Sequence, residues 1–343
     1  MRVTLKTRAA VAEGGNEKMK ESKKALTVLK GQGIVLAMIV VFAVFGILSK
    51  AVNGQNTYAT LGNFMQILQQ NASLGIMACG MTFVIIGGNF DLTHGSLLTL
   101  LTCICVNQYR SMGPVGAMLV TFAVAIVMGC LSGFLVGYLK LNSMIVTLGM
   151  MNVLSALALM YTGGKNVSFH DKKGWFKYLG NGNLFGIPYP VIIMIVFIII
   201  FGIMLTKTVY GKQVMATGGN QTASNYSGVN SKKVIMMTFV ISAVTVALGS
   251  VLMAARNAQA DSTMGQGLEF DVIAGVILGG ASLDGGAGSV YKSFVGIMIL
   301  GMLKAGFVNL GLPAELQYCA QCVIILIAVY FDIRSQRKKV EKA

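Results

Sequence analysis

Residues 114–139 read PVGAMLVTFAVAIVMGCLSGFLVGYL, 26 residues without one Asp, Glu, Lys, Arg or His. A helix rises about 1.5 Å per residue, so about 20 apolar residues cross the hydrocarbon core of a bilayer. This stretch is long enough, and it is not alone. Residues 34–49, 141–160, 187–206 and 234–255 are uncharged in the same way. Apolar, uncharged runs of this length, repeated along one chain, mark an all-α, polytopic membrane helix bundle.

Composition agrees. Of 343 residues, 55% are apolar and 11% charged, against about a quarter charged in a typical soluble domain. Glycine is abundant at 42 and proline scarce at 4, which suits helices drawn together through small residues. Gly137, Gly149, Gly202, Gly249 and Gly275 are expected at such contacts. Cys103-Ile-Cys105 and Cys319-Ala-Gln-Cys322 resemble metal or redox pairs. Neither has a second pair at zinc spacing, so all six cysteines read as small apolar residues.

Basic residues gather in 1–32 and again in 334–343. The first tail is too long, and the apolar run after it too span-like, for a cleaved signal peptide. The positive-inside rule places both tails in the cytoplasm and requires an even number of crossings. Ten segments follow: about 33–50, 63–86, 92–108, 114–137, 142–161, 188–206, 233–254, 269–283, 288–306 and 314–331, with eight as the alternative count. The short 269–283 segment is expected to be tilted, broken or re-entrant. The chain thus divides into an N-terminal tail (1–32), a transmembrane body (33–333) and a C-terminal tail (334–343). The net charge of +15 lies mostly at the inner face, where it suits anionic lipid rather than nucleic acid.

Ion-coupled transporters place ionisable groups within their spans. Here Asp91, Glu269, Asp271, Asp284 and Glu315 fall near segment ends. No phosphate-binding loop occurs, and no nucleophile–base or metal constellation is visible. The reading is therefore no catalytic residue, no cofactor and no metal on this chain. It forms a path, and is either a passive facilitator or driven by a partner. The polar, basic connection 207–233, KTVYGKQVMATGGNQTASNYSGVNSKK, favours the partner. Its glycines 211, 218, 219 and 228 are expected to make turns around one short helix, about Gln221–Ser227, capped by Asn220.

Four stretches, in order, carry a family resemblance: GMTFVIIGGNFDLTHGSLLTL (80–100), LKLNSMIVTLGMMNVLSALALMYTGG (139–164), GGNQTASNYSGVN (218–230) and GLEFDVIAGVILGGASLDGGAGS (267–289). The chain resembles the permease subunits of ribose/galactose/xylose-type ATP-binding-cassette importers over nearly all of residues 33–333. The resemblance implies a type II-like importer fold with about ten helices, a second permease copy, a cytoplasmic ATPase subunit that binds ATP-Mg, and an extracytoplasmic solute-binding protein. It implies a bacterial inner-membrane location and a monosaccharide as solute, with nucleosides or another small polar solute as the alternative.

The resemblance also assigns residues. Tyr210, Gly211, Gly218, Gly219, Asn220, Ser227 and Gly228 would belong to the ATPase-coupling loop. Asp91, Gly95, Ser96, Gly279, Gly280, Asp284, Gly285 and Gly286 would belong to structural or translocation motifs. The two glycine pairs are expected to turn the backbone sharply, and Asp91 and Asp284 to cap helix N-termini at the inner ends of segments. GGNFDLTHGS and GGASLDGGAGS are faintly alike, as an internal duplication would make them. The chain departs from the pattern at Asn89-Phe90, at His94, at Asn142-Ser143 and at Asp261, where the last two places commonly hold proline.

Overall fold

A computed structural model describes residues 33–169 and 174–313, together with 315–317, 319, 320, 322, 323 and 326. Both tails, and most of the segment expected at 314–331, lie outside the described residues. The ordered elements are α1 (Gly33–Asn53), α2 (Leu61–Gln70), α3 (Ala72–Ile86), α4 (His94–Gly137), α5 (Ser143–Thr162), β1 (Val167–Ser168), α6 (Trp175–Asn181), β2 (Asn183–Leu184), β3 (Ile187–Pro188), α7 (Tyr189–Lys207), α8 (Val209–Gly219), α9 (Gln221–Tyr226), α10 (Ser231–Asn257), β4 (Gln259–Ala260), α11 (Leu268–Leu278) and α12 (Val290–Asn309). Among the described residues, six helices are long and apolar enough to cross a membrane: α1, α4, α5, α7, α10 and α12.

Four expected crossings are built differently from simple spans. The one at 63–86 is two helices, α2 and α3, broken at Asn71, whose side-chain N–H donates to the Ile67 carbonyl at 2.8 Å. The two at 92–108 and 114–137 form the single run α4, kinked where Gly113 takes φ 70° and ψ −178° before Pro114. Its first arm runs parallel to α10, with His94 beside Ser242 and Leu98 beside Ser250. Its second arm runs back, with Gly129 beside Ala243 and Gly137 beside Lys232. α4 therefore supplies two traverses. The fourth, expected at 269–283, is α11, which has 11 residues and stops at Leu278. It rises only about 16 Å, half of the roughly 30 Å core.

α10 is the central helix, two-thirds buried over its apolar window, while α1 and α5 expose most of theirs. It is capped by Asn230, whose side chain accepts from Lys233 N. Close approach to α4 depends on Gly129, Gly133 and Gly137, spaced four residues apart. A Cβ on them would come within 2.8 Å of Ala243 Cβ, 2.7 Å of Met236 O and 2.6 Å of Lys232 O, respectively. This small-xxx-small ridge packs backbone on backbone without help from a hydrophobic driving force, which lipid does not supply. Gly149 and Gly202, expected at similar contacts, face open space instead. Gly133→Ala should therefore lower stability by about 1–3 kcal/mol through overpacking, whereas Gly149→Ala should not. Thermal unfolding of the two variants in one detergent checks this; equal transitions would refute the ridge.

The connection 207–233 lies at one end of the bundle. At the opposite end, β1 pairs with β4 and β2 with β3, both antiparallel. There Tyr109 stacks on Phe169 with ring centroids 4.1 Å apart, above the buried Phe176.

Candidate functional site

Two chain segments lead into the bundle from opposite ends and meet in its interior. α3 runs to the 207–233 end, turns at Gly87-Gly88, and residues 89–93 lead back inward. On the way Phe90 N–H donates to Ser143 Oγ at 3.1 Å, just beyond Asn142, which caps α5. α4 then begins level with Ser242, eleven residues along α10 from Ser231, or about 16 Å inside that end. From the other side, α10 runs to the opposite end, and residues 261–267 lead to the start of α11.

These two inward-leading segments share one local structure. In Asp91-Leu-Thr93, Asp91 Oδ1 accepts from Thr93 N at 3.0 Å and from Thr93 Oγ1 at 2.5 Å. In Asp261-Ser-Thr263, Asp261 Oδ1 accepts from Thr263 N at 2.8 Å and from Thr263 Oγ1 at 2.6 Å. Two residues further on, Gly95 and Gly265 meet reciprocally, since a Cβ on either would collide with the carbonyl of the other. Gly265 N donates to Thr99 Oγ1 at 3.0 Å. The Glu269 carboxylate lies against Gly95, where the N-termini of α4 and α11 both present positive dipole ends. Opposed segments of this kind are the architecture of inverted repeats with broken helices. The segments that share these bonds are 91–95 and 261–265, whereas the sequence likeness linked 87–96 with 279–289.

Asp91 is correspondingly not a cap at a segment end. Thr93 holds the N-cap position of α4, and Asp91 is 4% exposed in the interior. Its second oxygen accepts from Ser242 Oγ at 3.0 Å, and Ser242 lies 3.2 Å from His94 Nε2. His94 is fully buried and its Nδ1 sits 3.6 Å from Asp91 Oδ2. The histidine that departs from the pattern thus completes a Ser–Asp–His cluster, and Ser242 was missed because nothing local to it marks a partner 151 residues away. Ser96 Oγ donates to the Thr93 carbonyl at 3.0 Å. Asp284 does not cap either; it is exposed in the turn closed by Gly285 N to Ser282 O, and Ser289 precedes α12.

At the 207–233 end three separate motifs converge on one junction. Gly286 N donates to the Ile86 carbonyl at 2.8 Å. A Cβ on Gly218 would collide with that same carbonyl. One on Gly285 would lie 2.8 Å from Gly218 O and 2.9 Å from Gly88 Cα, and one on Gly286 would lie 2.8 Å from Gly219 Cα. Gly285 and Gly286 also take φ of 83° and 75°, which side chains resist. Gly280 is left-handed too, while Gly279 is pressed on α12, 2.6 Å from Lys292 O for an added Cβ.

The connection itself holds two helices, not one. α9 spans Gln221–Tyr226, and Asn220 Oδ1 accepts from Ala223 N at 2.9 Å. α8 was missed because its glycines read as turns. Gly211 instead sits in the first turn of α8, pressed on the Leu205 carbonyl, and Gly218-Gly219 end the helix at the junction. The signal available was Thr208, whose Oγ1 accepts from Gly211 N at 3.1 Å as an N-cap. The ring of Tyr210 stacks near Phe83, centroids 6.2 Å apart, and burial pushes its phenol pKa well up. Ser227 and Gly228 close α9, with Gly228 at φ 84°. Tyr226 stands 89% exposed. Among the described residues no cluster of three or more His, Cys, Asp or Glu could hold a metal ion.

Apolar spans, interior helix breaks and a helical connection anchored to the bundle end define a polytopic, all-α membrane permease. The chain belongs to the family described as branched-chain amino acid transport system / permease component, whose model matches residues 63–329. It is 33% identical to the ribose import permease protein RbsC of Escherichia coli (strain K12), over 90% of this chain and 95% of that one. It is 34% identical to the ribose import permease protein RbsC of Bacillus subtilis (strain 168), over 79% and 84%. With the L-arabinose transport system permease protein AraH of E. coli (strain K12) it shares 33% identity over 88% and 91%. No solved structure matches.

Proposed function

We propose that this chain is the membrane-spanning subunit of an ATP-binding-cassette importer and passes a monosaccharide, ribose-like in size and polarity, into the cytoplasm. The ATPase that binds ATP-Mg is a separate subunit docking on α9. A solute-binding protein delivers sugar at the opposite end, and a second permease copy completes the path. Both tails are then cytoplasmic, with 207–233 on the inner side of a bacterial inner membrane. The relatives named for ribose and arabinose support the solute class. One observation carries the coupling: α9 continues α8, and at Gly218, Gly285 and Gly286 α8 meets the end of α3 and the 279–289 turn backbone to backbone, next to the Tyr210–Phe83 stack. At those glycines a push on α9 meets backbone rather than a side chain that could give.

Co-purification in mild detergent, followed by uptake into liposomes, tests this. Sugar uptake should require ATP and an associated ATPase. Asn220→Ala, which removes a helix cap worth about 1 kcal/mol, should lower ATP-driven uptake by about fivefold without reducing membrane insertion. Sugar equilibrating without ATP, unchanged by Asn220→Ala, would make the chain a passive facilitator; ATP-driven uptake of nucleosides instead of sugars would move the solute class.

A further inference from the structure

Asn63, Gln66, Gln69, Gln70 and Asn71 place five amides within nine residues at the broken α2–α3 segment. Polar groups facing lipid are costly, so a membrane helix carrying this many needs protein, water or solute against them. Between α2 and α12 lies a cavity of about 350 Å³, whose polar wall is formed chiefly by Asn63, Gln66, Gln70, Asn71 and Lys304 over the floor of Gly301. Small-molecule sites occupy about 300–1,000 Å³. Lys304 is fourteen residues along α12 from Val290, which puts the cavity about 21 Å from the glycine junction, toward the opposite end.

The groups are oriented. Asn63 Nδ2 donates to the Tyr58 carbonyl at 2.7 Å, and Asn71 Nδ2 to the Ile67 carbonyl at 2.8 Å. Each amide keeps its oxygen as an acceptor and a second N–H as a donor. Asn71 is 8% exposed and sits directly on Gly301, where a Cβ would enter the amide. Lys304 is paired with Asp271, which balances its charge and leaves further N–H donors. Gln66 and Gln70 are exposed and supply both donors and acceptors. The wall is neutral in sum and contains no aromatic ring. Hydroxyl groups each donate and accept, so a polyol satisfies this wall, whereas an ion finds no opposite charge and a nucleobase no ring to stack on.

We propose that this cavity is a transient site for a neutral polyhydroxylated solute, a monosaccharide, on its way through the chain. The proposal rests on the sugar-import reading. The test uses the assembled importer in liposomes, with labelled ribose uptake and ribose-stimulated ATP hydrolysis measured together. Q66L/Q70L removes hydrogen-bonding groups from exposed positions at similar side-chain volume. Uptake should fall at least about tenfold while stimulated ATP hydrolysis stays within about twofold, so that more ATP is consumed per sugar. Q66N/Q70N, which keeps the amides, should restore most of the uptake. Undiminished uptake by Q66L/Q70L overturns the site and leaves the sugar reading standing. Parallel loss of ATP hydrolysis also overturns it, since the amides would then serve assembly. A wild-type importer that moves neither ribose nor arabinose overturns the sugar reading itself, and the site with it.

Discussion

Gly218→Val is expected to reduce ATP-driven uptake by at least about a hundredfold, while the neighbouring Gly219→Ala remains near wild type. The difference follows from what each new Cβ meets. At Gly218 it overlaps the Ile86 carbonyl and lies 2.8 Å from Gly286 N, whose bond to that carbonyl holds α3 to the 279–289 turn. Its three nearest neighbours are all backbone atoms, so no rotamer change relieves the overlap. The junction must part and leave a buried carbonyl and N–H unpaired, at about 1–3 kcal/mol each on top of the steric cost. At Gly219 the nearest atom to a new Cβ is 3.9 Å away, an ordinary contact. Uptake and ATP hydrolysis measured on one preparation distinguish the outcomes. Continued hydrolysis without uptake in Gly218→Val is the expected signature of a severed linkage; equal behaviour of the two variants would discard the junction as the transmission point.

Most of the helical frame was legible because it depends on length and apolarity alone. The uncharged runs at 141–160 and 187–206 became α5 and α7 with ends moved by only a few residues. What escaped was decided by contacts distant in sequence. Glycine is ambiguous in a sequence: it allows a turn, as at Gly285, or a close approach within a helix, as at Gly211 and Gly133. Only the four-residue spacing of Gly129, Gly133 and Gly137 could have told the second from the first. The interior start of α4 was hidden for another reason. Before it, the Phe90 backbone is satisfied by Ser143 and Thr147 of α5, more than fifty residues on, rather than by a local pattern. The Asp-x-Thr-x-Gly repeat was readable at both 91–95 and 261–265, but five residues are too few to be trusted before the two glycines are seen to touch.

That repeat gives the second large effect, because its two copies make the same hydrogen bonds in different surroundings. Asp91 is buried with Ser242 and His94, while Asp261 and Thr263 bond at the exposed end of the bundle. Asp91→Leu leaves the Thr93 N–H and the Thr93 hydroxyl without their acceptor at a buried position, and leaves the Ser242 hydroxyl with His94 Nε2 alone. Leaving buried donors unpaired in this way costs about 1–3 kcal/mol each, together a large fraction of the stability of an ordinary chain. Asp261→Leu loses the same bonds where water replaces them, and should cost about 1 kcal/mol or less. Ser242→Ala alone should fall between the two, and it should be partly masked in the Asp91→Leu background, because the hydroxyl it removes has already lost its carboxyl partner. Size-exclusion profiles and thermal transitions of the four variants in one detergent measure all of this. Equal losses at Asp91 and Asp261 would mean that the turn itself, not the buried cluster, holds the interior start of α4. The ranking expected from burial places that start on Asp91, Ser242 and His94, with Gly95 and Gly265 fixing how closely the two halves of the bundle meet.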